Sequence, residues 1–109
     1  MWGTTTLVYA SPYVQAHLLE IERGGFCSEH RHERKTNTFA VLSGRLEVRV
    51  WRDSFNAFDS TILGPGQSTV VPVGCWHQFL AVDDVTCLEF YEAAGIEEDI
   101  KRRTTGGRA

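Results

Sequence analysis

The sequence predicts an all-β fold, a small sandwich or barrel of short strands. Three observations carry that prediction: apolar and polar residues alternate at period two, turn signals separate the alternating runs, and no convincing amphipathic helix precedes the C-terminal segment. The turn signals are Gly24-Gly25, Ser43-Gly44, Gly64-Pro65-Gly66, Val73-Gly74 and Asp83-Asp84. Between them, "NTFAVLSG" (37–44) is a β-rich run closed by Ser-Gly. In "RLEVRVW" (45–51), Leu46, Val48 and Val50 alternate with Arg45, Glu47, Arg49 and Trp51, the pattern of a strand with one buried face. "STVVPVG" (68–74) is closed by Pro72, which cannot donate a ladder hydrogen bond. "WHQFLAV" (76–82) is a further short run, and "VTCLEFYEA" (85–93) sets Leu88 and Phe90 on one face against Glu89 and Tyr91 on the other. The one helical candidate, "IEEDIKRR" (96–103), is at most a couple of turns, and the basic, glycine-containing tail at 101–109 reads as a frayed, solvated end.

Composition places all of this in a single domain, residues 1–109, long enough for a modest core. The hydrophobic fraction of 42% and charged fraction of 23% are those of an ordinary globular chain, which excludes disorder. A formal net charge of −3 argues against nucleic acid as a partner. Cys27, Cys75 and Cys87 are odd in number and form no CxxC, so a reducing compartment suits them better than a disulfide framework. The chain shows neither a signal-peptide pattern nor an apolar run of membrane-spanning length. The expectation is a soluble, cytoplasmic protein without a membrane partner.

Chemistry is concentrated in histidine. His30 and His32 stand two apart, so on a strand both rings project from the same face. His77 follows a Pro-x-Gly turn on a separate segment. Three imidazoles converging from two segments suit a divalent transition metal such as Zn, Fe, Ni or Mn, whereas an HxH pair on a polar surface strand is also a common arrangement without function. His17, in "VQAHLLEIE", lacks a partner at ligand spacing and reads as a packed or hydrogen-bonded side chain.

The surroundings of these histidines resemble both motifs of the cupin superfamily. The first is Gly24, five residues, His30-Arg31-His32, four residues, Asn37, six residues, Gly44; the second is Gly66, five residues, Pro72-Val73-Gly74, two residues, His77, three residues, Ala81. The resemblance implies a small double-stranded β-helix, or jelly-roll, barrel with residues 24–81 as its motif core and His30, His32 and His77 meeting as metal ligands in its mouth. Two positions depart from the pattern. Asn37 stands where cupins carry a glutamate ligand, and Ala81 stands where the second motif ends in asparagine. Asn37 offers only a neutral carbonyl oxygen, a weak fourth ligand or a group behind the ligands. Glu29 and Glu33 fall on the opposite strand face from the histidines and are poor replacements. Without a ligand carboxylate, a bound divalent ion keeps its full +2 charge and favours anionic oxygen.

A second resemblance covers Cys87 to Arg108. Leu88-Glu89, Gly95, "EEDIKR" (97–102) and Gly107-Arg108 follow the order found at the end of the cupin domain of type II mannose-6-phosphate isomerases, which also carry mannose-1-phosphate guanylyltransferase activity. Phe39 and Lys35 match that family's Trp and Arg positions. The resemblance implies sugar-phosphate isomerase chemistry, with Arg102 and Arg103 as candidate phosphate holders; a solvated helix end with i, i+4 pairs is the plainer reading of that run. Three functions therefore remain open: a metal enzyme, isomerase-like or dioxygenase-like, acting on a small ligand; a non-catalytic metal or ligand module; and a metal-free structural barrel. No residue stands out as general base, although Glu89 and Tyr91 share a strand face that can reach the interior. The aromatics Phe39, Trp51, Phe55, Phe58, Trp76, Phe79, Phe90 and Tyr91 are expected mostly in the core, and the three cysteines as small buried fillers. Trp51 and Trp76 are the best candidates for a homodimer face.

Overall fold

The computed structural model describes residues 2–51 and 57–93. Eight strands are present among them: β1 (Gly3–Ala10), β2 (Val14–Ile21), β3 (Lys35–Ser43), β4 (Leu46–Trp51), β5 (Phe58–Leu63), β6 (Ser68–Val71), β7 (His77–Ala81) and β8 (Val85–Ala93). They form a five-stranded sheet in the order β1-β2-β8-β3-β6 and a three-stranded sheet in the order β5-β4-β7. Every pairing is antiparallel. Two antiparallel sheets with no helix among the described residues make the jelly roll that the resemblance of the histidine motifs implies. None of the described residues forms a helix long and apolar enough to cross a membrane.

The core lies between the sheets and comes from one face of each alternating strand. Leu19 and Ile21 of β2, Phe39 and Val41 of β3, Val85 and Cys87 of β8 face Leu46 and Val48 of β4 and Phe79 of β7. Removing each large side chain in this set from water contributes roughly 1.5–3 kcal/mol. The core ends where polar residues take over the same inward rows. On β2 the row is Ile21, Leu19, His17; on β8 it is Val85, Cys87, Glu89, Tyr91; on β3 it is Val41, Phe39, Asn37. One end of the sandwich is therefore oily and the other is lined with groups that can do chemistry.

β3, β4, β6, β7 and β8 lie where the alternating runs place them. β1, β2 and β5 are not legible as alternating runs. β1 and β5 are edge strands exposed along most of their length, so neither needs a consistent apolar row. The aromatic expectation is overturned. Only Phe39 and Phe79 are buried, while Phe58 is 40% and Trp76 43% exposed; Trp51, Phe90 and Tyr91 are half-buried, and Phe55 lies outside the described residues. The reason is register: Leu88 and Phe90 occupy the outer face of β8, and Trp51 and Phe58 pair across β4 and β5 on an outer face. All three cysteines are free; Cys27 and Cys87 are buried, as expected, and Cys75 is half-buried against the core. The segment "IEEDIKRR" and the tail at 101–109 lie outside the described residues.

Candidate metal centre

His30 and His32 do not sit on a regular strand. The segment that carries them runs antiparallel along the free edge of β7, joined by Ala81 N–H to Gly25 O (2.9 Å), Cys27 N–H to Phe79 O (3.3 Å), reciprocal bonds between His30 and His77 (3.0 and 2.8 Å), and Gly74 N–H to His32 O (2.8 Å). Only Phe26 and His30 form bridges with β7, opposite Leu80 and His77. This irregular pairing is what assembles the site: it fixes His30 directly across from His77 and leaves His32 just beyond the strand's end. The ring centroids of His30 and His77 are 4.3 Å apart, those of His30 and His32 5.2 Å, and those of His32 and His77 5.5 Å. One ligand nitrogen from each ring lies within 4.8 Å of the other two, a spacing that a single metal ion spans.

The hydrogen bonds behind the rings decide which nitrogen is available. His77 Nδ1 lies 3.1 Å from the Cys75 carbonyl, and His30 Nδ1 lies 2.9 Å from the Ser28 carbonyl. A carbonyl only accepts, so each Nδ1 carries the proton and each Nε2 keeps its lone pair. The Nε2 atoms of His32 and His77 are buried without any hydrogen-bond partner. An orphaned buried nitrogen is costly unless something else takes up its lone pair, and a metal does so. Burial, followed by the neighbouring imidazoles His30 and His32, pushes the His77 ring down to about 4, against the raising effect of its bond to Cys75. Burial and the nearby charges of His30 and Lys35 also lower His32. Neutral imidazole is the metal-binding form, so these surroundings prepare the rings for a cation. The donor set fits a divalent transition metal.

Asn37 is fully buried on the inward row of β3, and its Nδ2 donates to Glu89 Oε2 at 2.9 Å across to β8. Its Oδ1 is buried with no partner. Glu89, 7% exposed, is held up at about 7 by burial, against a lowering hydrogen bond from Tyr91. Burial and the Glu89 charge raise the Tyr91 hydroxyl in turn. The Tyr91 ring packs edge-on against His32 at 5.1 Å and against His17 at 5.5 Å. A cavity of about 220 Å³ opens beside this group, lined by Trp2, Thr5, His17, Leu19, Cys27, His30, Phe79, Glu89 and Tyr91.

The structure thus brings together His30, His32 and His77 and places Asn37 in the adjoining inward row. Glu29 and Glu33 are exposed, and Glu33 pairs with Arg31 at 2.9 Å instead of entering the site. Arg102 and Arg103 lie outside the described residues. Sequence reasoning set His17 aside; the structure puts it on the cavity wall, with its Nδ1 buried and unpartnered. The available signal was its place two residues before Leu19 and four before Ile21, on the inward face of β2.

A family sequence model described as "Cupin domain" matches residues 17–91. No curated protein matches the chain. Among solved structures, KdgF from Halomonas sp. is similar with a TM-score of 0.72 and 23% identity, over 82% of this chain and 76% of that one. A cupin-2 domain containing protein from Shewanella frigidimarina NCIMB 400 gives 0.67 and 20%, over 82% and 79% of the two chains. The Cnp3 cupin domain of Schizosaccharomyces pombe gives 0.73 and 17%, over 94% and 72%. Identities in this range speak to the fold.

Proposed function

We infer that this chain, which belongs to the cupin domain family, is a metal-dependent enzyme acting on a small anionic or oxygenated molecule, with isomerase-like chemistry of the sugar-phosphate kind. The observation that carries this reading is the convergence of three imidazole nitrogens within 4.8 Å of one another beside a cavity of about 220 Å³. His30, His32 and His77 would hold the metal, which when bound supplies polarisation of a carbonyl or hydroxyl oxygen. The protein's own groups account for the rest. Trp2 and Phe79, edge-to-face at 5.1 Å, form an apolar wall of the cavity against which a small ligand can be oriented. His17, on the wall of that cavity, is the side chain placed to shuttle a proton between adjacent carbons of a ligand there. Holding a phosphate would fall to Arg102 and Arg103.

A three-histidine dioxygenase is the second reading, favoured by a clustered ligand set that holds no carboxylate among the described residues. Free cysteines fit a cytoplasmic setting. We place the small-molecule ligand in the cavity and a second copy of the chain against the Trp51 and Trp76 face.

X-ray fluorescence on protein purified without chelator tests the reading. Wild type should carry a stoichiometric divalent transition metal, and His32→Ala should lose most of it while staying folded. Aldose–ketose interconversion by the loaded protein supports the isomerase; iron enrichment with oxygen uptake supports the dioxygenase; metal without turnover leaves a binding module. Metal-free wild type, or full retention in His32→Ala, overturns the ligand assignment.

A further inference from the structure

The buried pair Asn37–Glu89 stands next to the histidines without being one of the clustered ligands. The neighbours of Asn37 pack on the triad. Its cross-strand partner on β8 is Tyr91, whose ring touches His32 at 5.1 Å, and two residues along β3 Phe39 packs on His77 at 6.4 Å. Two facts about the pair need a joint explanation. Glu89 is a buried carboxylate that no arginine, lysine or histidine ion pair neutralises among the described residues. Asn37 Oδ1 is a buried acceptor with no donor. The unpaired Asn37 oxygen alone costs about 1–3 kcal/mol to bury, and a buried carboxyl group is expensive even when it is hydrogen-bonded.

We propose that Glu89 positions the Asn37 carbonyl oxygen as the fourth protein ligand of the three-histidine centre, and that the carboxylate of the motif has moved one hydrogen bond behind the metal instead of being lost. The proposal rests on the metal reading above. Asn37 Nδ2 donates to Glu89 Oε2 at 2.9 Å, which leaves Oδ1 turned away from the carboxyl group and unpartnered. An unpartnered oxygen beside the triad keeps its lone pairs for a cation. Donation from Nδ2 to a carboxylate also draws charge through the amide toward Oδ1, which makes a poor neutral ligand a better one. The same contact gives Glu89 a second donor beside Tyr91. A buried acid and an orphan oxygen thus become two ends of one relay, with the positive charge of the ion at one end and the negative charge of Glu89 at the other.

The test uses metal-free full-length protein titrated with cobalt(II) chloride, reading affinity by chelator competition and ligand geometry by the visible absorption of the bound ion. Glu89→Gln keeps size and removes charge; it should weaken cobalt binding by about 10-fold or more. Asn37→Ala should weaken it similarly and change the absorption spectrum. The swap Asn37→Asp with Glu89→Gln reverses the polarity of the hydrogen bond, so that the amide introduced on β8 donates to a ligand carboxylate introduced on β3. It should restore affinity to within about 3-fold of wild type. A purely structural role for Glu89 would leave the swap no better than Asn37→Asp alone, in which an ionised Glu89 cannot donate to the new carboxylate. The swap keeps the buried bond, so it carries the test even where a single variant folds poorly. Wild-type affinity in Glu89→Gln, or a folded swap that fails to recover, overturns the proposal while the metal reading stands. A wild-type protein that binds no cobalt overturns both.

Discussion

His77 and Glu89 are buried titratable groups pushed in opposite senses, and the consequences for the metal-free protein can be separated by pH. Burial first, then the neighbouring imidazoles, takes His77 from its ordinary 6.5 to about 4. The unfolded chain binds the extra proton in that window, so stability from His77 is present above 6.5 and lost as pH falls toward about 4. Burial takes Glu89 from 4.5 to about 7, so here the folded chain binds the extra proton. Its contribution is fully present below 4.5 and lost as pH rises through about 7. Across the overlap the two slopes oppose each other and the wild-type profile is shallow. Glu89→Gln removes one of them. Metal-free Glu89→Gln should gain on wild type by on the order of 3 kcal/mol between acid and mildly alkaline pH, and should become more stable with rising pH where wild type stays level. Urea denaturation across that range checks it; parallel profiles for the two proteins would show that Glu89 titrates as an ordinary surface acid.

At the scale of elements, two turn glycines with the same backbone angle make unequal demands. Gly44 joins β3 to β4 at φ +80°, and Gly74 leads into β7 at φ +83°. Both angles favour glycine. A side chain at Gly74 meets nothing nearby, whereas a Cβ at Gly44 collides with the Asp84 carbonyl oxygen, part of the turn that enters β8. Gly74→Ala should cost about 1 kcal/mol, the strain of the angle alone. Gly44→Ala should cost about 3 kcal/mol, because backbone must also shift. Chemical denaturation of both variants checks the difference; equal losses would mean the β3–β4 turn yields freely. These glycines were legible as turns because the alternating runs beside them have a buried face. β2 shows why other elements were not. Its inward residues are His17, Leu19 and Ile21, yet Ala16 is also buried and Leu18 half-buried, so the apolar row loses its period. The metal ligands were readable because their spacing lies along the chain. The Asn37–Glu89 contact joins residues 52 apart through the β3–β8 register, which no local pattern records.

For the molecule as a whole, the outer aromatic face adjoins the site. The Trp51 ring lies 5.1 Å from Phe58, and a backbone hydrogen bond from Trp51 N–H to the Trp76 carbonyl (2.9 Å) sets Trp76 on the neighbouring segment beside them. Arginines sit on this face: Arg31 over Trp76 at 5.0 Å and Arg49 over Phe58 at 5.1 Å. Tryptophan and arginine together are the composition of interface centres, and Trp76, 43% exposed, is a costly side chain to leave in water. On the proposal that a second copy of the chain docks here, a two-fold contact would stack aromatic on aromatic and keep the guanidinium groups at a wet rim. Arg31 lies between His30 and His32, and Trp76 immediately precedes His77. Closing this face would therefore restrain both ligand segments at once, tying assembly to the stiffness of the metal centre. Light scattering at micromolar concentration should give the mass of a dimer for wild type, and Trp76→Glu, which puts a charge in the middle of the patch, should give the mass of one chain with the fold intact. A monomeric wild type would leave this face without a role in assembly.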